Sequence, residues 1–159
     1  MLDAQGLRPL LDFVAGLDLA EPDAVREALT AEFPVDGEFV TALRREAEER
    51  IAAGTLCHKG DEHIAFSRVA RPGEETHGFS VDAVRMRVPG PKHRHPLGEI
   101  DLCLALEGEP RFDGHPEGWV VYAPGSVHVP TVEGGTMFVL YLLPEGSFEL
   151  IESVEPSQA

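Results

Sequence analysis

Gly90-Pro91-Lys92-His93-Arg94-His95-Pro96-Leu97-Gly98-Glu99 is answered, about thirty residues later, by Pro124-Gly125-Ser126-Val127-His128. His93 and His95 are two apart, so on extended backbone both imidazoles leave one face of a strand while Arg94 points the other way. Glu99 follows a Pro/Gly break that can turn the chain back. With His128 as the fourth donor, three imidazoles and a carboxylate stand at metal-ligand spacing. Such a set suits Zn, Fe, Mn, Ni or Cu without choosing among them, so the expected cofactor is a divalent transition metal.

Outward from this stretch, short apolar runs alternate with Gly, Pro and Asp from Thr55 onward. Strands are expected over 63–70, 78–87, 99–107, 118–123 and 136–143, with a last one near 148–152. Turns are expected at Arg71-Pro72-Gly73, Pro89-Gly90, Asp113-Gly114 and Gly134-Gly135. Many short strands punctuated in this way imply an antiparallel sandwich or barrel. Along 99–107, Glu99, Asp101, Cys103 and Ala105 share one face, and Ile100, Leu102, Leu104 and Leu106 share the other. The leucine face should pack in a core, on a helix or on a second subunit. The opposite face would carry Glu99 and Asp101 into a lined cavity, where carboxylates are costly unless paired or metal-bound.

The first third reads as helical. Leu7, Leu10, Leu11, Val14 and Leu17 recur at three- and four-residue spacing. Pro22-Asp23 opens a second segment carrying Val25, Leu29 and Phe33 before Pro34 ends it. A third helix is expected from about Gly37 to Ala53, with Phe39, Leu43, Ala47 and Ile51 on its apolar stripe and Gly54 as its stop. The organisation read from this is a helical extension over 1–56, a β-domain over 57–153 and a loose tail over 154–159.

Composition narrows the function. The 28 acidic and 13 basic side chains give a net charge of -15, which argues against nucleic acid and anionic lipid as partners. Seven of those bases fall within 58–110, the segment that holds the histidine motif, as an anionic substrate would require. No basic-then-apolar leader and no membrane-length apolar run is present, so the expected location is the cytoplasm. Cys57 and Cys103 are far apart and read as reduced thiols, Cys103 in the core.

Gly90, His93-x-His95 and Glu99, followed by Gly118, Pro124-Gly125 and His128, resemble the two signatures of the cupin superfamily. A narrower resemblance lies in His77-Gly78-Phe79-Ser80-Val81-Asp82, in His93-Arg94-His95-Pro96 with Gly98-Glu99-Ile100-Asp101-Leu102, in Glu107-Gly108, in Arg111-Phe112-Asp113-Gly114 and in Leu140-Tyr141-Leu142-Leu143-Pro144-Glu145-Gly146. These stretches are similar to the 4-hydroxylaminobenzoate lyase family, chiefly over residues 75–150. The resemblance implies a mainly β fold, a cupin-type antiparallel β-barrel (jelly roll) with an N-terminal helical extension. It implies conversion of 4-hydroxylaminobenzoate and water to protocatechuate and ammonia, with metal on His93, His95, Glu99 and His128. That reaction needs acids and bases near the metal, for which Glu99, Asp101 and His77 are the candidates.

The small aromatic carboxylate substrate calls for a guanidinium, with Arg68 and Arg85 the leading choices and Arg87, Arg94 and Arg111 also available. Tyr122 and Tyr141 can donate a phenol to it. A homodimer through the leucine face is expected, although the helices can cover that face instead. Two other functions use the same frame: an iron-dependent cupin dioxygenase acting on a small aromatic or thiol, and a cupin that binds a small molecule without turnover.

Overall fold

The computed structural model describes residues 1–151, so the tail expected at 154–159 lies outside the described residues. Helices α1 (Arg8–Ala15), α2 (Pro22–Glu32) and α3 (Glu38–Ala53) occupy the three expected segments. α1 and α2 each carry a proline in the first turn, where its missing N–H is not needed. α3 ends on Gly54, whose φ of 77° only glycine adopts without strain, and whose N–H caps the carbonyls of Arg50 and Ile51. The buried stripe of α3 is Val40, Leu43 and Ala47, with Phe39 and Ile51 at its half-buried margins, so Val40 takes the place expected of Phe39.

The strands that follow are β1 (Lys59–Gly60), β2 (Ile64–Ala70), β3 (Phe79–Met86), β4 (His93–His95), β5 (Glu99–Phe112), β6 (Gly118–Tyr122), β7 (Ser126–His128), β8 (Val132–Pro144) and β9 (Glu149–Leu150). They form a six-stranded sheet in the order β1-β2-β3-β8-β5-β6 and a three-stranded sheet in the order β7-β4-β9. Every described pairing is antiparallel, and the fold is mainly β as expected.

One turn assignment changes. Gly134-Gly135 is not a turn; it lies inside β8, where Gly135 pairs with Gly108 of β5. The register shifts there, between Ala105 and Glu107 and again between Gly108 and Arg111. Gly108 and Gly134 have φ of 72° and 85°, so the glycines build bulges that bend both strands without ending them. Each strand is therefore about five residues longer than its apolar pattern suggests.

The leucine face of β5 is filled by the helices. Ile100, Leu102 and Leu104 are fully buried in one core with Leu10, Leu11, Leu29 and Leu43. Arg44 of α3 fastens this layer, donating to the Ala105 carbonyl at 2.8 Å and pairing with Glu117 at 2.5 Å. Trp119 of β6 donates its indole N–H to the Phe33 carbonyl at 2.8 Å. The surface that gave the physical reason for a homodimer is thus internal to the chain, and the helical and β segments share one core. Leu102→Ala is expected to cost about 2–5 kcal/mol in chemical denaturation, the range for a fully buried leucine. A loss under 1 kcal/mol would mean that the helix layer does not bear on the sheet. Among the described residues, no helix is long and apolar enough to cross a membrane.

Candidate metal centre

The opposite face of the large sheet and the small sheet enclose a cavity of about 330 Å³. Its walls are apolar, from Ile64 and Phe66 on β2, Val84 and Met86 on β3 and Val139 and Leu143 on β8. His93, His95, Glu99 and His128 line the same cavity.

Local structure brings these four together. β4 pairs with β7 so that His93 lies directly opposite His128, and alternation sends His93 and His95 inward. Arg94 points outward to Glu149 at 3.4 Å, as its parity predicts. The chain then turns at Gly98, whose φ is 93° and whose N–H bonds the His95 carbonyl at 3.2 Å. A Cβ on Gly98 would meet Leu19 Cδ2 and the Tyr122 carbonyl oxygen at 2.8 Å, so no larger residue fits where the chain turns to deliver Glu99.

One ligand atom from each of the four side chains lies within 4.8 Å of the others. His95 Nε2 is 3.0 Å from His128 Nε2 and 3.1 Å from Glu99 Oε2. Glu99 Oε2 is buried and has no hydrogen-bond partner, and two imidazole nitrogens confront each other across a gap that at most one proton can bridge. Lone pairs converging this way are what a divalent cation satisfies, so the residues fit a metal.

Electrostatics sort the groups. Burial works against the charge on Glu99, but His128 and His95 hold its carboxyl down at about 2. Burial and the adjacent Glu99 push the Asp101 carboxyl well above the usual range. Burial also opposes a charge on His128, yet Asp113 and Glu99 outweigh it and lift its pKa to about 9. His93 is lowered by burial and by the neighbouring His95.

The other expected residues divide. Asp101 and Tyr141 line the cavity, and both Asp101 oxygens are buried without a hydrogen-bond partner. Asp101 therefore orients no histidine. Arg68 projects from the cavity-side face of β2, where its guanidinium is forked on Asp82 at 3.0 and 3.4 Å. Arg85 is corrected: on β3 the even residues Val84 and Met86 face the cavity, whereas Arg85 shares the helix side with Val81 and Ala83 and donates to the Asp61 carbonyl. His77 is corrected as well, for it lies outside the cavity at a turn with φ of 53°, its Nε2 2.7 Å from Asp12 of α1. Tyr122 gives its hydroxyl to Asp113 and stacks on His95, so it backs the cluster and does not face the cavity. Cys103 is fully buried among Val84, Val120 and Val139, a core position. Among the described residues that line the cavity, none is Arg or Lys.

Asp113 was missed. Its carboxylate accepts from His128 Nδ1 at 2.7 Å, from the Tyr122 hydroxyl and from the Thr131 N–H at 2.8 Å. In the sequence, Asp113-Gly114 reads as a turn within one of the stretches that carry the family resemblance, and no local pattern links it to a histidine fifteen residues on.

Fold and site define a mainly β protein, built of antiparallel sheets, with a three-histidine, one-glutamate candidate metal centre in the wall of a largely apolar cavity. The chain belongs to the 4-hydroxylaminobenzoate lyase (PnbB) family, whose model matches residues 7–150 and so takes in the helices as well as the strands. It is 37% identical over 89 residues to a 4-hydroxylaminobenzoate lyase of Nocardioides sp., covering 50% of this chain and 52% of that protein. It is 32% identical over 100 residues to the enzyme of the same name from Pseudomonas putida, covering 53% and 57%. Those matches span about half the length of the curated relatives. Among solved structures, an RmlC-like cupin protein from Ralstonia eutropha is similar at a TM-score of 0.44 and 15% identity, covering 60% of this chain and 68% of that one.

Proposed function

We propose that this protein converts 4-hydroxylaminobenzoate and water to protocatechuate and ammonia on a cupin-type barrel, with a divalent metal held by His93, His95, Glu99 and His128. The observation that carries the reading is the four-donor cluster in the wall of a largely apolar cavity, in a chain of this family. The metal, once bound, supplies Lewis acidity toward an oxygen and lowers the pKa of water.

The chain's own residues supply the rest. Asp101, protonated through burial beside Glu99, faces the cavity and can hand a proton to the departing hydroxylamine oxygen. Loss of that oxygen as water leaves an electrophilic imino-quinoid ring; one water adds to the ring and a second hydrolyses the C=N bond, releasing ammonia. One water leaves and two enter, so the reaction balances without oxidant. The apolar walls hold the ring and exclude bulk water. Delivery of the hydroxylamine oxygen to Asp101 sends the para carboxylate of the substrate away from the cluster. Arg68, forked on Asp82, is the cation on the cavity-side face of β2, and the Tyr141 hydroxyl offers a donor in the cavity wall. This orientation puts the nitrogen-bearing end at the cluster.

Anaerobic incubation of the metal-loaded protein with 4-hydroxylaminobenzoate is expected to yield protocatechuate and ammonia in equal amounts. Turnover that requires oxygen would instead establish the dioxygenase reading. Binding of the substrate without product would leave a small-molecule-binding protein.

A further inference from the structure

The structure assigns Asp113 as the positioning residue that fixes His128 as an Nε2 donor with a full negative charge behind its ring. The assignment rests on the reading that the cluster holds a metal.

The three imidazoles are not equivalent. His93 turns Nδ1 to the Pro91 carbonyl at 3.1 Å, a neutral acceptor. His95 Nδ1 is buried with no partner. Only His128 has a carboxylate behind it, with Asp113 Oδ2 2.7 Å from its Nδ1. Asp113 is itself held from several sides. Its N–H donates to the Thr131 carbonyl at 2.8 Å, while the Thr131 N–H returns a bond to Oδ1 at 2.8 Å. The Tyr122 hydroxyl donates to Oδ2, and its ring lies 4.3 Å from that of His128.

Three donors converge on this carboxylate, so it acts as an acceptor throughout, and the proton between it and His128 sits on Nδ1. The tautomer is thereby set and the Nε2 lone pair directed at the cluster. A carboxylate behind a ligating imidazole also raises its basicity, which strengthens the bond to a cation. The backbone contributes too. Asp113 has φ of 48°, a left-handed conformation that Asp and Asn tolerate better than other side chains, which lets the β5–β6 turn aim its carboxylate back at β7.

Asp113→Asn is the informative variant because asparagine keeps the shape, tolerates the left-handed backbone and removes the charge together with one of the two acceptor oxygens. Zinc affinity is measured by competition with a chromophoric chelator, and the His128 Nδ1 proton is followed by NMR in the zinc-loaded protein. Asp113→Asn is expected to weaken zinc binding about 10–100-fold and to speed exchange of that proton with solvent. Tyr122→Phe, which leaves the carboxylate on His128, is expected to stay within a few-fold of wild type. Wild-type affinity and slow proton exchange in Asp113→Asn would overturn the assignment, as would equal losses in both variants, which would make the packing of this corner responsible. A wild-type protein that takes up no zinc or other divalent ion would instead remove the metal reading on which the assignment stands.

Discussion

Glu99→Gln is expected to reduce turnover of 4-hydroxylaminobenzoate by at least about 10²–10⁴-fold, whichever of its two possible roles it plays. Metal affinity separates the roles. Glu99 Oε2 is buried, lacks a hydrogen-bond partner and lies 3.1 and 3.6 Å from the Nε2 atoms of His95 and His128. Nothing but a cation or a proton on those imidazoles can offset a carboxylate placed there, since its surroundings are apolar wall and a second carboxyl, Asp101. As a ligand, Glu99 contributes the one formal charge of the set. Its loss should weaken binding by more than the roughly 10–100-fold typical of removing an outer partner. As a general base it would leave affinity unchanged while abolishing the reaction. A Glu99→Gln protein that binds metal as wild type does, yet is inactive, would move Glu99 from ligand to base.

Stripping the metal with a chelator is expected to abolish turnover, and to leave a protein whose stability falls as pH rises. The sign follows from His128. Its folded-state pKa is raised from 6.5 to about 9, so its pairing with Asp113 and Glu99 stabilises the metal-free fold fully below pH 6.5 and is lost as pH climbs through 9. At about 1.4 kcal/mol per unit, the contribution is at most about 3–4 kcal/mol. Asp113 acts in the opposite window: its carboxyl is lowered, chiefly by His128 and Tyr122 acting against burial, and its contribution is lost as pH falls through its folded value. A bound metal requires His128 to be neutral at Nε2 and therefore displaces one proton. Apparent affinity should thus rise about tenfold per pH unit between 6.5 and 9, and calorimetry in buffers of different ionisation heat should count close to one proton released per ion. No proton released at pH 7.5 would mean that His128 is not a ligand.

The elements that read clearly from sequence are those fixed by local chemistry. α3 lies between Gly37 and Gly54 because its ends are set by glycine, and the faces of β5 follow from strict alternation. The four-donor cluster was legible because His93 and His95 share a strand face and His128 sits in a short strand beside them. What escaped depends on pairing across the sheets. Gly134-Gly135 carries the composition of a turn, and only the facing Gly108 makes it a bulge. Arg85 and Arg68 are both arginines on strands, and only the assembled sheet shows that Arg85 lies on the helix side while Arg68 shares the face of Ile64 and Phe66 and is forked on Asp82. Asp113 serves His128 through a contact between the β5–β6 turn and β7, which has no periodicity to betray it.

Leu19, between α1 and α2, rests against Gly98, the residue at which the chain turns to deliver Glu99. The helices are thus more than a cover for the leucine face of β5, because their linker forms one wall of the bend that aims a candidate metal ligand. Helical and β segments are therefore not interchangeable parts. A helical segment taken from a relative with a bulkier side chain at this point would displace the bend and Glu99 with it. Change in either half is constrained by the other at this contact as well as through the core they share, so the two halves of this chain form one structural unit.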